Sequence, residues 1–160
     1  MNIRLSILCS LLFASIASAG SVSVAVKPDS EKKPGDKTKP DVTRAVWLNV
    51  HVTNSTGAKL DGVTLKWVLY AATLKRGADS ISIEKSGEMK ITVDANGRYV
   101  DVATPKVAFT TIPYHTVRKG RSSQVVEASG KKFHGFHVQI LNGTEVLGEA
   151  VSEAVKKELK

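Results

Sequence analysis

Between residues 45 and 53 every second side chain is aliphatic: Val46, Leu48, Val50 and Val52 alternate with Ala45, Trp47, Asn49, His51 and Thr53. An extended chain points successive side chains to opposite faces, so this spacing predicts a half-buried β-strand rather than a helix, whose apolar stripe recurs every 3.6 residues. Val63, Leu65, Trp67 and Leu69 repeat the pattern in a second segment ending near Tyr70-Ala71-Ala72. Ile81 and Ile83, then Met89, Ile91 and Val93, predict a third stretch, interrupted at Ser86-Gly87. Asn96-Gly97 marks a return through Tyr99 to Ala103. Pro105 has no N–H to donate to a ladder, so an edge or a bulge is expected there. Val107 and Phe109 resume the apolar pattern, and a polar loop over 114–132 follows, with a short strand at 124–127.

The last hairpin is the clearest element. Residues 133–141 and 144–151 flank Asn142-Gly143, the preferred pair for a two-residue type I′ turn. That turn sets a register in which Ile140 faces Glu145, Val138 faces Leu147 and Phe136 faces Glu149. Phe136, Val138, Ile140 and Leu147 then share the core face. Residues 152–160 are charged and alanine-containing, a tail suited to a final helical turn.

At the other end, Arg4 leads an apolar run from Ile7 to Ile16 that closes in Ala17-Ser18-Ala19 before Gly20. A basic start, a short apolar core and small residues at −3 and −1 are the parts of a secretory signal peptide. The run is shorter than the roughly 20 apolar residues of a permanent transmembrane helix. Cleavage after Ala19, export to the periplasm or the extracellular space, and no transmembrane segment in the mature chain are therefore expected. Cys9, the one cysteine, would leave with the leader. Gly20 stands where a lipid-anchored protein needs its cysteine, so no lipid anchor is expected. The mature chain then has neither disulfide nor thiol and rests on its hydrophobic core alone. Asn54-Ser55-Thr56 and Asn142-Gly143-Thr144 match a glycosylation sequon, a triplet that recurs by chance. After the alternating residues 21–26, the stretch 27–41 holds three prolines, one glycine and no other apolar side chain. It reads as a solvated linker or arm. The expected organisation is a signal peptide at 1–19, a short strand and Pro/Lys-rich linker at 20–41, the main domain at 42–151 and a charged tail at 152–160.

About seven short strands without a long helix predict an all-β fold, an antiparallel sandwich. The strand count, the tryptophans in the first two long strands (Trp47, Trp67) and the closing Asn-Gly hairpin resemble an immunoglobulin-like or fibronectin type III-like β-sandwich. The cysteine pair of immunoglobulin domains is missing. In architecture the chain is similar to exported bacterial proteins of unknown function that carry such a sandwich behind a charged linker. The resemblance implies a scaffold and a location, not an activity.

Catalytic chemistry finds little support. His134 and His137 lie three apart, which on a regular strand sends them to opposite faces. A metal site would have to join His115 to either of them across the fold, an alternative reading as a periplasmic metal-handling protein. Gly120-Arg121-Ser122-Ser123-Gln124 lacks the last glycine of a nucleophile elbow. Ser82-Ile83-Glu84-Lys85 and Ser129-Gly130-Lys131-Lys132 both match Ser-x-x-Lys, and two hits in one small chain show how unspecific that pattern is. The sequence has no zincin motif, phosphate-cradling glycine loop or calcium loop. No enzyme activity and no cofactor are expected.

Charge carries the positive message. The chain has a formal net charge of +8, and loss of the leader removes Arg4 and no acid, leaving +7. Arg118, Lys119, Arg121, Lys131 and Lys132 crowd the polar loop against Glu127 alone, with Tyr114 and His115 at its margin. Such a loop creates a positive field suited to lipid phosphates, acidic glycans or an acidic protein. Nucleic acid is not expected as a partner, because the loop lacks interleaved aromatics and the chain is read as exported. The expected function is a non-catalytic, exported binding or structural module of the cell envelope that meets an anionic partner through this basic loop. Trp47 and Tyr70 are outward-face aromatics that could stack on a sugar.

Overall fold

The computed structural model describes residues 21–34, 39–75 and 79–158. The leader at 1–19 with Cys9, residues 35–38 of the expected linker and the last two residues of the tail lie outside them.

Among the described residues ten strands and one short helix follow in order. They are β1 (Val22–Lys32), β2 (Val42–Asn54), β3 (Leu60–Leu74), β4 (Ser80–Val93), β5 (Arg98–Ala103), β6 (Val107–Ile112), β7 (His115–Lys119), β8 (Ser122–Val126), β9 (Ser129–Asn142), β10 (Glu145–Val151) and α1 (Glu153–Glu158). Eight strands form one antiparallel sheet in the order β1-β2-β6-β9-β3-β4, with β5 also on β2 and β10 also on β9. The fold is all-β and consistent with a sandwich, as expected, with ten strands in place of about seven. One leaf holds β1, β2, β5 and β6; the other holds β10, β9, β3 and β4. Only Thr111–Gly130 and Ile112–Ser129 pair β6 with β9, so the leaves are stitched at one corner and packed elsewhere.

Alternation fills the space between the leaves. Val46, Leu48, Val50 and Val52 of β2 meet Val63, Leu65, Trp67, Leu69 and Ala71 of β3 and Phe136, Val138 and Ile140 of β9 in one apolar core. Each of these aliphatic side chains contributes about 1.5–3 kcal/mol when fully buried, which lets the fold dispense with disulfides. Trp67 is 3% exposed, and its indole occupies the space in front of Gly87. A Cβ at Gly87 would lie 2.6 Å from the ring. The expected interruption at Ser86-Gly87 is therefore absent: β4 runs through it, because the missing side chain makes room for tryptophan.

The structure corrects three further expectations. First, β1 continues to Lys32 and pairs with β2 through Lys32–Arg44, so residues 27–32 are strand rather than linker. Pro28 is tolerated because β1 is an edge strand. Second, the closing hairpin turns at Gly143-Thr144, with Asn142 opposite Glu145. Gly143 has φ +61° and Asn142 keeps a negative φ, which fits a type II′ turn rather than type I′. Val138 then faces Ala150, Gln139 faces Glu149 and Ile140 faces Gly148, with a bulge at Leu147. The bulge keeps Leu147 against the core and turns Glu149 outward, so the expected core face survives the wrong register. Third, the polar loop is itself the hairpin β7–β8.

Two features hold the ends of the leaves. Asn54 is fully buried; its Nδ2 donates to Ala58 O (2.8 Å) and Val93 O (3.3 Å). Its Oδ1 accepts from Thr56 N (3.0 Å) and Thr56 Oγ1 (2.6 Å). The same corner receives Asn96 N on Thr56 O and Gly97 N on Asn54 O, tying the β4–β5 turn to the β2–β3 turn. The amide nitrogen of Asn54 is thus engaged inside the protein. At Pro105 the chain bulges between β5 and β6 along the same edge of β2. There Thr104 Oγ1 accepts from Leu48 N and Leu48 O accepts from Thr104 N, both at 2.9 Å.

Candidate functional site

The basic residues singled out in the sequence fall into two groups. Arg118 and Lys119 end β7, and Arg121 lies in the two-residue loop Gly120-Arg121, since Lys119 pairs with Ser122. β7 and β8 form their own two-stranded sheet, separate from the eight-stranded one. Five residues at about 3.4 Å each make an arm about 17 Å long. Cross-strand pairing puts Thr116, Arg118, Ser123 and Val125 on one face. His115, Val117, Lys119, Ser122, Gln124 and Val126 take the other. The cations therefore surround the tip instead of forming one basic face. Among the described residues none of Arg118, Lys119 and Arg121 makes an ion pair. Val117 and Val125 are exposed on opposite faces, and Tyr114 is exposed at the base.

Lys131 and Lys132 are not part of that tip. They begin β9, where Lys131 pairs with Glu84 (2.7 Å) and Lys132 with Asp79 (3.2 Å). Their charges are locally balanced, and they stand beside a cleft between the leaves that Arg44 also lines. Arg44 is not among the basic residues that charge along the chain singles out. The available signal was its parity: Val42, Arg44 and Val46 occupy alternate positions, so a cation sits in the inward row of β2.

The histidines go to separate environments. His115 Nδ1 lies 2.8 Å from Pro113 O at the base of the arm. His137 Nε2 meets Glu149 Oε1 on the outer face of β9–β10, and Gln139 Nε2 donates to the same oxygen at 3.0 Å. These two hydrogen bonds, that from His137 foremost, hold the Glu149 carboxyl below the usual carboxylate range. His134 is the extra residue of a bulge in β9 between Phe133 and Gly135, and its Nε2 is buried without a hydrogen-bond partner. Among the described residues no group of three or more His, Cys, Asp and Glu side chains could hold a metal ion.

Trp47 lies on the outer face of β2, the parity opposite to Val46 and Leu48. It carries Lys106 Nζ at 4.5 Å from its ring centroid, while Lys106 also pairs with Glu31 at 2.8 Å. On the same outer face His51 Nδ1 lies 2.7 Å from Asp101 Oδ1, and its ring lies 4.7 Å from that of Tyr99. A groove of about 400 Å³ runs beside this pair over Ala25, Asn49 and Ala103. Among the described residues no helix is long and apolar enough to cross a membrane. No protein-family model and no curated protein matches the chain.

Proposed function

We propose that this chain is a non-catalytic, exported binding module of the cell envelope whose arm β7–β8 engages an anionic surface tip first. The observation that carries the reading is the arm itself. It stands as a separate two-stranded sheet and brings Arg118, Lys119 and Arg121 together around its end. An isolated two-stranded hairpin gains little stability from its own contacts, so a binding partner adds what the fold does not. Cations at the tip and a valine on each face suit phosphate-bearing lipid headgroups, where charge attracts and small apolar groups are accommodated behind it. Export is the part of the reading that rests on residues 1–19 alone.

The test uses protein beginning at Gly20 with vesicles of phosphatidylcholine, alone or mixed with phosphatidylglycerol. Binding is expected only to the mixed vesicles and should fall when salt rises from about 0.15 M to about 0.5 M as screening shortens. Each cation near an anionic surface contributes about 1 kcal/mol, so Arg118→Gln, Lys119→Gln and Arg121→Gln together should weaken binding about a hundredfold. Equal binding by this variant would remove the arm from the mechanism.

A further inference from the structure

The leaves part where β2 and β9 begin, and the opening is apolar inside and cationic at its lip. Register sets Arg44 opposite Phe109 and Val46 opposite Val107 on the inner side of β2–β6. From the other leaf Phe133 packs edge-on against Phe109, with ring centroids 5.8 Å apart. On the β1 side of Phe133 lies a cleft of about 360 Å³ with Pro28, Val46 and Phe133 as its apolar lining and Arg44 and Lys132 as its cations. An adjoining recess of about 140 Å³ shares Arg44, Val46, Lys132 and Phe133 and adds Phe109 and Lys131. Val46 and Phe109 are buried, so the recess reaches the margin of the core.

We infer that this cleft binds a small amphiphilic monocarboxylate, with its chain between Val46 and Phe133 and its head on Arg44. The apolar lining removes hydrocarbon from water, and a planar guanidinium presents two parallel N–H donors that match a carboxylate. Arg44 is the cation suited to the head, because Lys131 and Lys132 already answer Glu84 and Asp79. Asp29 also lines the cleft, with Oδ1 accepting from Ser30 N at 2.8 Å. Register pairs Asp29 with the outward-facing Trp47, so its carboxylate lies on the outer side of β1 and its backbone borders the cleft. The cleft is distinct from the arm, and this inference stands independently of the function proposed for it.

Titration of the protein from Gly20 onward with decanoate, decanol and acetate, followed by amide NMR shifts, separates the contributions. Decanoate is expected to shift Val46, Phe109 and Phe133 and to bind at least tenfold more tightly than either decanol or acetate, roughly the worth of one charge-assisted contact. Arg44→Gln should abolish the preference over decanol while leaving decanol binding within about twofold. If that variant does not fold, Arg44→Lys, which keeps the charge and loses the fork, should reduce the preference. Equal binding of decanoate and decanol, of decanoate and acetate, or shifts confined to other regions would overturn the assignment. So would an undiminished preference in the folded Arg44 variant. The arm variant with Arg118, Lys119 and Arg121 changed to Gln should bind decanoate normally, so failure of one site leaves the other measurable.

Discussion

A single buried amide organises one end of the molecule. Asn54 satisfies four hydrogen-bonding groups with no exposure to water, and its position ties two turns that come from different leaves. Truncation would leave the buried Val93 carbonyl without this partner and untie the Thr56 and Ala58 groups of the turn. An unsatisfied buried group costs about 1–3 kcal/mol. Asn54→Ala should therefore lower unfolding stability by about 2–4 kcal/mol, read as a shift of the urea midpoint at constant slope. Loss of less than about 0.5 kcal/mol, the range of ordinary surface substitutions, would show that the corner holds by backbone bonds alone. Nothing in the local sequence marks Asn54 for this role, since Asn-Ser-Thr reads equally well as an exposed turn. Burial was decided by the turn arriving from Asn96-Gly97, more than forty positions along the chain.

At the scale of elements, alternation was legible wherever one face is buried. β2 and β3 were readable because their inward rows are apolar, and β9 because Phe136, Val138 and Ile140 repeat the pattern. The arm was not, because both of its faces meet water and its residues carry no apolar alternation that distinguishes strand from loop. The second half of β1 was illegible for the same reason: Lys27–Lys32 is strand by virtue of the edge that β2 offers it. An arm that pairs internally should be thermodynamically separable from the body. Replacing β7–β8 with a short Gly-Ser connection should change stability by less than about 1 kcal/mol, checked by a thermal melt followed at the core. A larger loss would mean that the arm braces the sandwich rather than extending from it.

The whole molecule depends on the corner that joins its leaves. Gly130 pairs with Thr111 there at φ +99°, and a Cβ would sit 2.3 Å from Thr110 O, a backbone atom that cannot swing aside. Gly130→Ala combines a disfavoured backbone conformation with a steric clash, each costing about 1–3 kcal/mol. The expected outcome is a loss of at least about 2 kcal/mol in denaturant unfolding; a change below about 1 kcal/mol would show that the corner can open without disturbing the core.

By itself the sequence determined the all-β class, the inward rows of the long strands and the excess of positive charge, because parity and composition are local properties. Tertiary structure decided which charges act together. It separated Arg118, Lys119 and Arg121 on a free arm from Lys131 and Lys132 in ion pairs, and it set Arg44 beside Phe109 and Phe133 at the lip of a cleft. Partners for side chains are chosen by strand order and register. Those are fixed by how apolar faces from distant segments pack together, which periodicity along one segment does not encode.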